Sequence, residues 1–405
     1  MDWLILIINI LQTIVWIYLA IIGLYLLIFA LASLLPIKND IFGDETPKRI
    51  AVLIPGYKED NIIVEIARLA LNQNYPRELY DVVIIADSFK RETLESLRKL
   101  PVKVIEVSFD VSTKAKALTE AIKQLNTDYD LCVILDADNV MEPDFLKKIS
   151  RAWKPGMLAI QGHRVAKNMN TPFAILDAIS EEINNQVFRR GHRRLGLSAA
   201  IIGSGVAFDY NYFKDLIPQV TAIGGFDKEI ELKMLRDGHV IYYLHDAYVY
   251  DEKVQKPETF HNQRRRWLSA QFHYLRKYFL HSLGYLLTKG NIEYFNKAFQ
   301  FLQLPRVLLL GIVSLFFPLL ILLNFSLGQL MWINRWVFLG AIIIFAIWIS
   351  VPRRFYNRKL LTAIMHLPKG IFMMFLSLIK IKGANKRFLH TVHETTHTEN
   401  HTINQ

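Results

Sequence analysis

The sequence predicts an α/β domain with a mostly parallel sheet, set between helices that cross or lie on a membrane. Three observations carry this reading. From Lys48 to about Gly162, short apolar runs alternate with stretches of helical length, the pattern of β and α units wound into a parallel sheet. Trp3 to Ile37 holds no charged residue, and most positions are Leu, Ile, Val, Ala or aromatic. Two further apolar runs, Val307 to Phe325 and Trp336 to Val351, follow the domain.

Ile50 to Ile54, Val82 to Ile85, Val102 to Val107 and Leu131 to Leu135 are expected strands, so uniformly apolar that both faces should be buried. Asn61 to Leu71, Arg91 to Leu100 and Lys114 to Leu125 are the expected helices between them. About 20 apolar residues cross a bilayer, so Trp3 to Ile37 is long enough to anchor the chain. It has no basic n-region and is too long for a cleaved signal. The link from Ser326 to Asn334 carries no Lys or Arg, whereas Arg353, Arg354, Arg358, Lys359 and Lys369 follow the last run. The positive-inside rule then gives three spans, an N-terminus outside and residues 38 to 300 in the cytoplasm. Tyr274 to Phe301 and Leu360 to Ile381 are apolar but broken by charge, as interfacial helices are, with a fourth span as the alternative for the second. The expected partition is a membrane helix at 1–37, a cytosolic domain at 38–273, an interfacial helix at 274–304, two membrane helices at 305–351, and an interfacial helix and tail at 352–405.

The chain has 405 residues, 52% of them hydrophobic, and a net charge of +11. Its basic residues cluster beside apolar segments, where anionic lipid attracts them, and no nucleic-acid motif accompanies them. Nucleic acid is therefore not an expected partner. The single cysteine, Cys132, lies in an expected strand, cannot pair internally and suits a reducing compartment. His390, His393, His397 and His401 lie in a polar tail and read as solvated residues, since no acidic or cysteine pattern supports a metal there.

Asp136-Ala137-Asp138 follows Leu131 to Leu135, which places it at the carboxyl end of a buried strand, where open α/β sheets bind ligands. Two carboxylates one residue apart on such a turn can hold a divalent metal and steer a phosphorylated substrate. Mg²⁺ and Mn²⁺ prefer such hard oxygen ligands and complete their shells with substrate phosphates. Well downstream stands Gln263-Arg264-Arg265-Arg266-Trp267. Val52-Leu53-Ile54-Pro55-Gly56-Tyr57-Lys58-Glu59, Ile84-Ile85-Ala86-Asp87, Lys114-Ala115-Lys116-Ala117-Leu118 and Gly203-Ser204-Gly205 complete the series.

Taken in chain order, the six elements resemble the membrane-embedded family 2 glycosyltransferases, which include cellulose, chitin, hyaluronan and poly-N-acetylglucosamine synthases. The resemblance covers roughly residues 48 to 275 and the flanking membrane segments. It implies a GT-A-type nucleotide-sugar-binding domain flanked by transmembrane and interfacial helices. It also implies a multi-pass protein of the cell membrane whose catalytic domain faces the cytoplasm.

The resemblance assigns roles as well. Pro55, Tyr57, Glu59 and Asp87 hold the uracil and ribose of a UDP-sugar, and Lys114 meets its phosphate. Asp138 is the metal ligand, with Asp136 contacting donor and metal. Gln263 and Arg266 bind the diphosphate, Trp267 lines the acceptor site, and Gly203, Ser204 and Gly205 lie beside the acceptor sugar. Relatives carry Thr-Glu-Asp ahead of a short x-Glu-Leu, with the Asp as base. Here the run is Asp227-Lys228-Glu229-Ile230-Glu231-Leu232, which registers Glu229 as the base and leaves Asp227 as the fallback. Phe388-Leu389-His390-Thr391 resembles the segment that folds over the nucleotide in processive synthases.

The implied function is an inverting transfer from a UDP-sugar to a growing β-linked polysaccharide, with Mg²⁺ or Mn²⁺ as cofactor. The alternatives are a single transfer to a membrane lipid acceptor, and a non-catalytic nucleotide-binding scaffold. Sugar identity, linkage and self-association into a homo-oligomer stay open.

Overall fold

A computed structural model describes residues 2–36, 46–255, 257–326 and 331–379. Eight strands form one sheet: β1 (Ile50–Tyr57), β2 (Tyr80–Asp87), β3 (Lys103–Val107), β4 (Leu131–Ile134), β5 (Val140–Met141), β6 (Ala159–Ala166), β7 (Val206–Asp209) and β8 (Ile241–Asp251). Their order is β3-β2-β1-β4-β7-β6-β8-β5. The first four run parallel, as the alternating pattern requires. Beyond β4 the sheet is mixed: β7 is antiparallel to β4 and β6, β8 is parallel to β6, and β5 is antiparallel to β8.

The parallel half explains its own composition. Val52 and Ile54 enter one core and Ala51 and Leu53 the other, all fully buried. Burying each such Val, Leu or Ile contributes about 1.5–3 kcal/mol. The Ile63–Ala70 helix covers the first face with Ile63, Ile66, Ala67 and Ala70, at the spacing of one helical stripe. The Lys114–Gln124 helix covers the second with Ala115, Leu118, Ala121 and Ile122. Carboxyl ends of the parallel strands gather at one edge, where Tyr57 pairs with Asp87 and Asp136 follows β4.

Among the described residues, two helices are long and apolar enough to cross a bilayer, Leu6–Ser33 and Ile333–Ser350. The expected span at Val307 to Phe325 forms a helix of 21 residues, Arg306–Ser326. The Asp2–Ser33 helix packs on the Met331–Ser350 helix, where Gly23 lets Ile343 approach to 3.0 Å of a would-be Cβ. Near its other end, Gly191 abuts it so closely that a Cβ would lie 2.1 Å from the Phe29 carbonyl oxygen. His192 stacks on Phe29 and hydrogen-bonds Tyr25, so the anchor helix and the domain share one interface.

Two expectations change. The helix expected to begin at Tyr274 begins at Pro257 and runs unbroken to Lys289, through the expected boundary at 273/274. Proline suits the first turn, where no helical partner for its missing N–H exists. The chain then turns at Gly290, with φ of 64°, into the Ile292–Gln300 helix. The described part of the expected helix from Leu360 divides into helices Arg358–Met365 and Leu367–Ile379, bent by 46°, which reach spanning length only if taken as one. Leu367–Ile379 packs against Pro257–Lys289 through Met374 and Leu268, and Ser377 hydrogen-bonds His261 at 2.7 Å. The His-rich tail and Phe388 to Thr391 lie outside the described residues.

Candidate active site

One cavity of about 590 Å³ opens at the carboxyl edge of the parallel strands, within the size range of small-molecule sites. Pro55, Gly56, Tyr57, Glu59, Asp87, Lys114, Asp136 and Asp138 line one half of it. Gln263, Arg266 and Trp267 line the other.

The first half is built from strand ends. Lys58 and Ser88, just past β1 and β2, hold φ of 56° and 60°. Such left-handed geometry costs non-glycine residues about 1–2 kcal/mol and is concentrated at ligand sites. The Lys58 N–H donates to the Asp87 carbonyl at 3.1 Å, and the Ser88 hydroxyl to the Asp87 carboxylate at 2.9 Å. Gly56 has no room for a side chain, since a Cβ would lie 2.7 Å from Phe89. Thr113 caps the Lys114–Gln124 helix by accepting the Lys116 N–H at 3.2 Å, a bond worth about 1 kcal/mol. Lys114 is thereby fixed at the first turn. Its ammonium pairs with Asp136, donates to the Gly203 carbonyl at 2.7 Å and lies 4.7 Å from the Phe226 ring centre.

Among the described residues, no cluster of three or more His, Cys, Asp or Glu could hold a metal unaided. Asp136 and Asp138 supply two hard carboxylates at the cavity, and Lys114 already engages one oxygen of Asp136. This donor set fits an ion that takes one or two carboxylates and completes its shell with phosphate oxygens, as Mg²⁺ does.

Helix geometry accounts for the Gln-x-x-Arg-Trp spacing. Gln263, Arg266, Trp267 and Ala270 stand at i, i+3, i+4 and i+7, one face of the Pro257–Lys289 helix, and all four line the cavity. Burial lowers the Arg266 pKa, so an anion arriving there would offset that cost. The Gln263 side-chain oxygen is buried without a hydrogen-bond partner. Arg264 is buried behind the wall: it pairs with Asp177 and lies 4.2 Å from the Trp267 ring centre, two residues that line the cavity. The triple arginine is therefore not one solvated basic face.

Two groups of the expected site residues are placed differently from the others. Glu229 is buried and does not reach the cavity; its carboxylate accepts the Thr221 N–H at 3.1 Å. Asp227 lines the cavity instead. Both sit on the Phe226–Arg236 helix, where two residues subtend about 200°, so they face opposite ways. Gly203 touches the cavity residues, its carbonyl accepting the Lys114 ammonium at 2.7 Å and a Cβ on it lying 3.3 Å from Asp227, whereas Ser204 lies under the Asp136 turn. Ser204 is fully buried, and its hydroxyl accepts the Asp136 N–H at 2.9 Å.

Sequence reasoning missed a charged wall of the cavity formed by Arg164, Glu181, Arg189, Asp251 and Lys253. Arg164 donates to Glu181 at 3.0 Å, as does Arg189, and Lys253 donates to Asp251 at 2.7 Å. Burial pushes the Glu181 carboxyl up, but the two guanidiniums outweigh it and hold that group well below the usual range. Lys297 also lines the cavity and pairs with Glu231 at 2.8 Å. A signal existed in Asp177 and Glu181, which interrupt an apolar helix at one-turn spacing. Asn185 to Gly191 continues that helix as a π-helix, a rare form often found at functional sites, and carries Arg189.

The family model described as "Glycosyltransferase like family 2" matches residues 47–270. A curated relative from Methanococcus voltae is the dolichyl N-acetyl-alpha-D-glucosaminyl phosphate 3-beta-D-2,3-diacetamido-2,3-dideoxy-beta-D-glucuronosyltransferase. It is 23% identical over 208 residues, 48% of this chain, and the match spans 63% of that relative's length. Among solved structures, the mannosyltransferase PcManGT of Pyrobaculum calidifontis, in complex with GDP-Man and Mn²⁺, is 19% identical with a TM-score of 0.46, over 82% of this chain and 99% of that one. TarS 1–349 of S. aureus, in complex with UDP, is 17% identical with a TM-score of 0.38, over 84% and 89%. With its family-model match and its strand-end site, the chain belongs to glycosyltransferase-like family 2 and is a glycosyltransferase with the family's nucleotide-sugar-binding GT-A fold.

Proposed function

We propose that this chain is an inverting transferase of the cell membrane that moves a sugar from a UDP-sugar to a membrane-held carbohydrate, extending a β-linked chain by repeated addition. One observation supports it most: Lys114, Asp136 and Asp138 share a single cavity with Gln263, Arg266 and Trp267. Diphosphate-binding groups and an aromatic sugar platform thus face the same space. The acceptor half combines paired cations and anions with Asn184, Gln255, Gln263 and Gln300. Sugar hydroxyls both donate and accept, so such a wall suits them better than a ligand that only accepts.

In this mechanism Pro55, Tyr57, Glu59 and Asp87 hold the nucleoside, and Lys114 and Arg266 carry the diphosphate charge. Asp138, with Asp136 beside it, would hold Mg²⁺ or Mn²⁺, which supplies charge neutralisation for the departing diphosphate. Trp267 places the acceptor ring against its indole face. Asp227 takes the proton of the acceptor hydroxyl as that oxygen bonds to the anomeric carbon. The bond from that carbon to the phosphate oxygen breaks, UDP leaves with its electron pair, and configuration inverts. Asp227 replaces Glu229 as the base because it reaches the cavity.

A second reading, single transfer to a lipid-linked sugar, is favoured by the Methanococcus voltae relative, whose name specifies a dolichyl-phosphate-linked acceptor. Incubation of detergent-solubilised protein with labelled UDP-sugars and Mn²⁺, followed by product sizing, separates the two. Long polymer early in the reaction supports repeated addition. A single-sugar glycolipid at every time point overturns it.

A further inference from the structure

We propose that Asn139 is a positioning residue that ties the Asp136-Ala137-Asp138 turn to the charged acceptor wall, a role that rests on this turn being the diphosphate site. Asn139 and Ser204 are both fully buried. The Asp136 N–H donates to the Ser204 hydroxyl at 2.9 Å, and that hydroxyl donates to the Asn139 amide oxygen at 2.6 Å. The Asn139 amide nitrogen donates in turn to Asp251 at 2.9 Å.

Every bond in this series points the same way and ends on a carboxylate, which polarises and strengthens the chain. Asp251 in turn accepts Lys253 at 2.7 Å and lies 3.6 Å from Arg164, which donates to Glu181. The backbone of the turn is thus joined through one asparagine to Arg164, Glu181, Asp251 and Lys253 on the cavity wall. A second tether runs beside it, from the Lys167 ammonium to the Asp138 carbonyl at 3.0 Å.

Gly203 and Gly205 allow this arrangement. Both have positive φ, 81° and 62°, and a Cβ on Gly205 would lie 2.9 Å from Val249. They fold the chain so that Ser204 lies under the turn. Asparagine is required because position 139 must accept on one side and donate on the other. An ionised aspartate of the same shape cannot donate to Asp251, and it would set a second buried carboxylate against the first.

The test uses Asn139→Asp and the milder Ser204→Ala, singly and combined, in detergent-solubilised full-length protein. Electron paramagnetic resonance would measure Mn²⁺ binding in the presence of UDP, beside thermal melting and donor kcat/KM. Each single variant should weaken UDP-dependent Mn²⁺ binding about 10- to 100-fold while still folding. The double variant should be no worse than the worse single one, because both act through one chain of bonds. Folded variants with normal Mn²⁺ binding and turnover, or single effects that multiply in the double variant, would overturn the role of Asn139. Wild-type protein that binds no Mn²⁺ with UDP would overturn the donor-site reading, and this proposal with it. Wild-type binding matched by both variants would overturn this proposal alone.

Discussion

The base can be tested by exchanging oxygen for nitrogen at two positions on one helix. Asp227 lines the cavity, whereas Glu229 is buried against Thr221. Asp227→Asn keeps size and hydrogen bonding but removes basicity. Loss of a general base costs about 10²- to 10⁴-fold in rate, or about 2.7–5.5 kcal/mol of transition-state stabilisation. UDP binding should survive, since the proposed donor contacts come from other elements. Glu229→Gln should behave differently. Its new amide can set an N–H against the Thr221 N–H, a mismatch that costs about 1–3 kcal/mol in a buried site. Melting temperature should fall while the rate per folded molecule stays within a few-fold of wild type. Initial rates with labelled UDP-sugar, paired with melting curves and UDP binding, separate the two effects. Normal turnover by Asp227→Asn beside an inactive but folded Glu229→Gln would refute the geometric argument and restore the register-based assignment.

Other outcomes follow from the same structure. Chelation should abolish transfer and Mn²⁺ or Mg²⁺ restore it, with Asp138→Ala inactive although folded; full turnover in excess EDTA would contradict the metal assignment. Burial pushes the His192 pKa down to about 3, while the unfolded ring titrates near about 6.5. Below that pH the unfolded state binds a proton that the folded state refuses. The stability contributed by His192 is therefore full above about pH 6.5 and falls by about 1.4 kcal/mol per unit, or about 2 kcal/mol at pH 5. Melting should shift downward from pH 7 to 5 in wild type and less in His192→Gln; equal shifts would contradict this. Cys132 is buried and is the only cysteine, so introduced thiols report cleanly. With three spans, Trp3→Cys should react with an impermeant reagent from outside and Lys359→Cys should not.

The sequence was most legible where burial is simplest. β1, β2 and β4 are continuous apolar runs because helices cover both faces, and the D-x-D turn follows from the strand before it. The mixed half of the sheet was not legible. β6 buries Gln161 and Arg164, and β8 interleaves tyrosine with His245 and Asp246, so neither carries an apolar or cleanly alternating pattern. The charged wall was hidden for the same reason, because its pairs join residues far apart in sequence, such as Arg164 and Asp251. Gln263, Arg266 and Trp267 were singled out by resemblance alone, and that they form one helical face emerged only with the helix that begins at Pro257. Asp227 and Glu229 could not be told apart until the direction of their helix was known.

The most direct test of the account is the anomeric configuration of the first bond formed. Wild-type protein supplied with an α-linked UDP-sugar, Mn²⁺ and a carbohydrate acceptor should release UDP and yield a β-linked product by proton NMR, with none formed by Asp138→Ala. An α-linked product, or UDP release without any sugar on the acceptor, would contradict it.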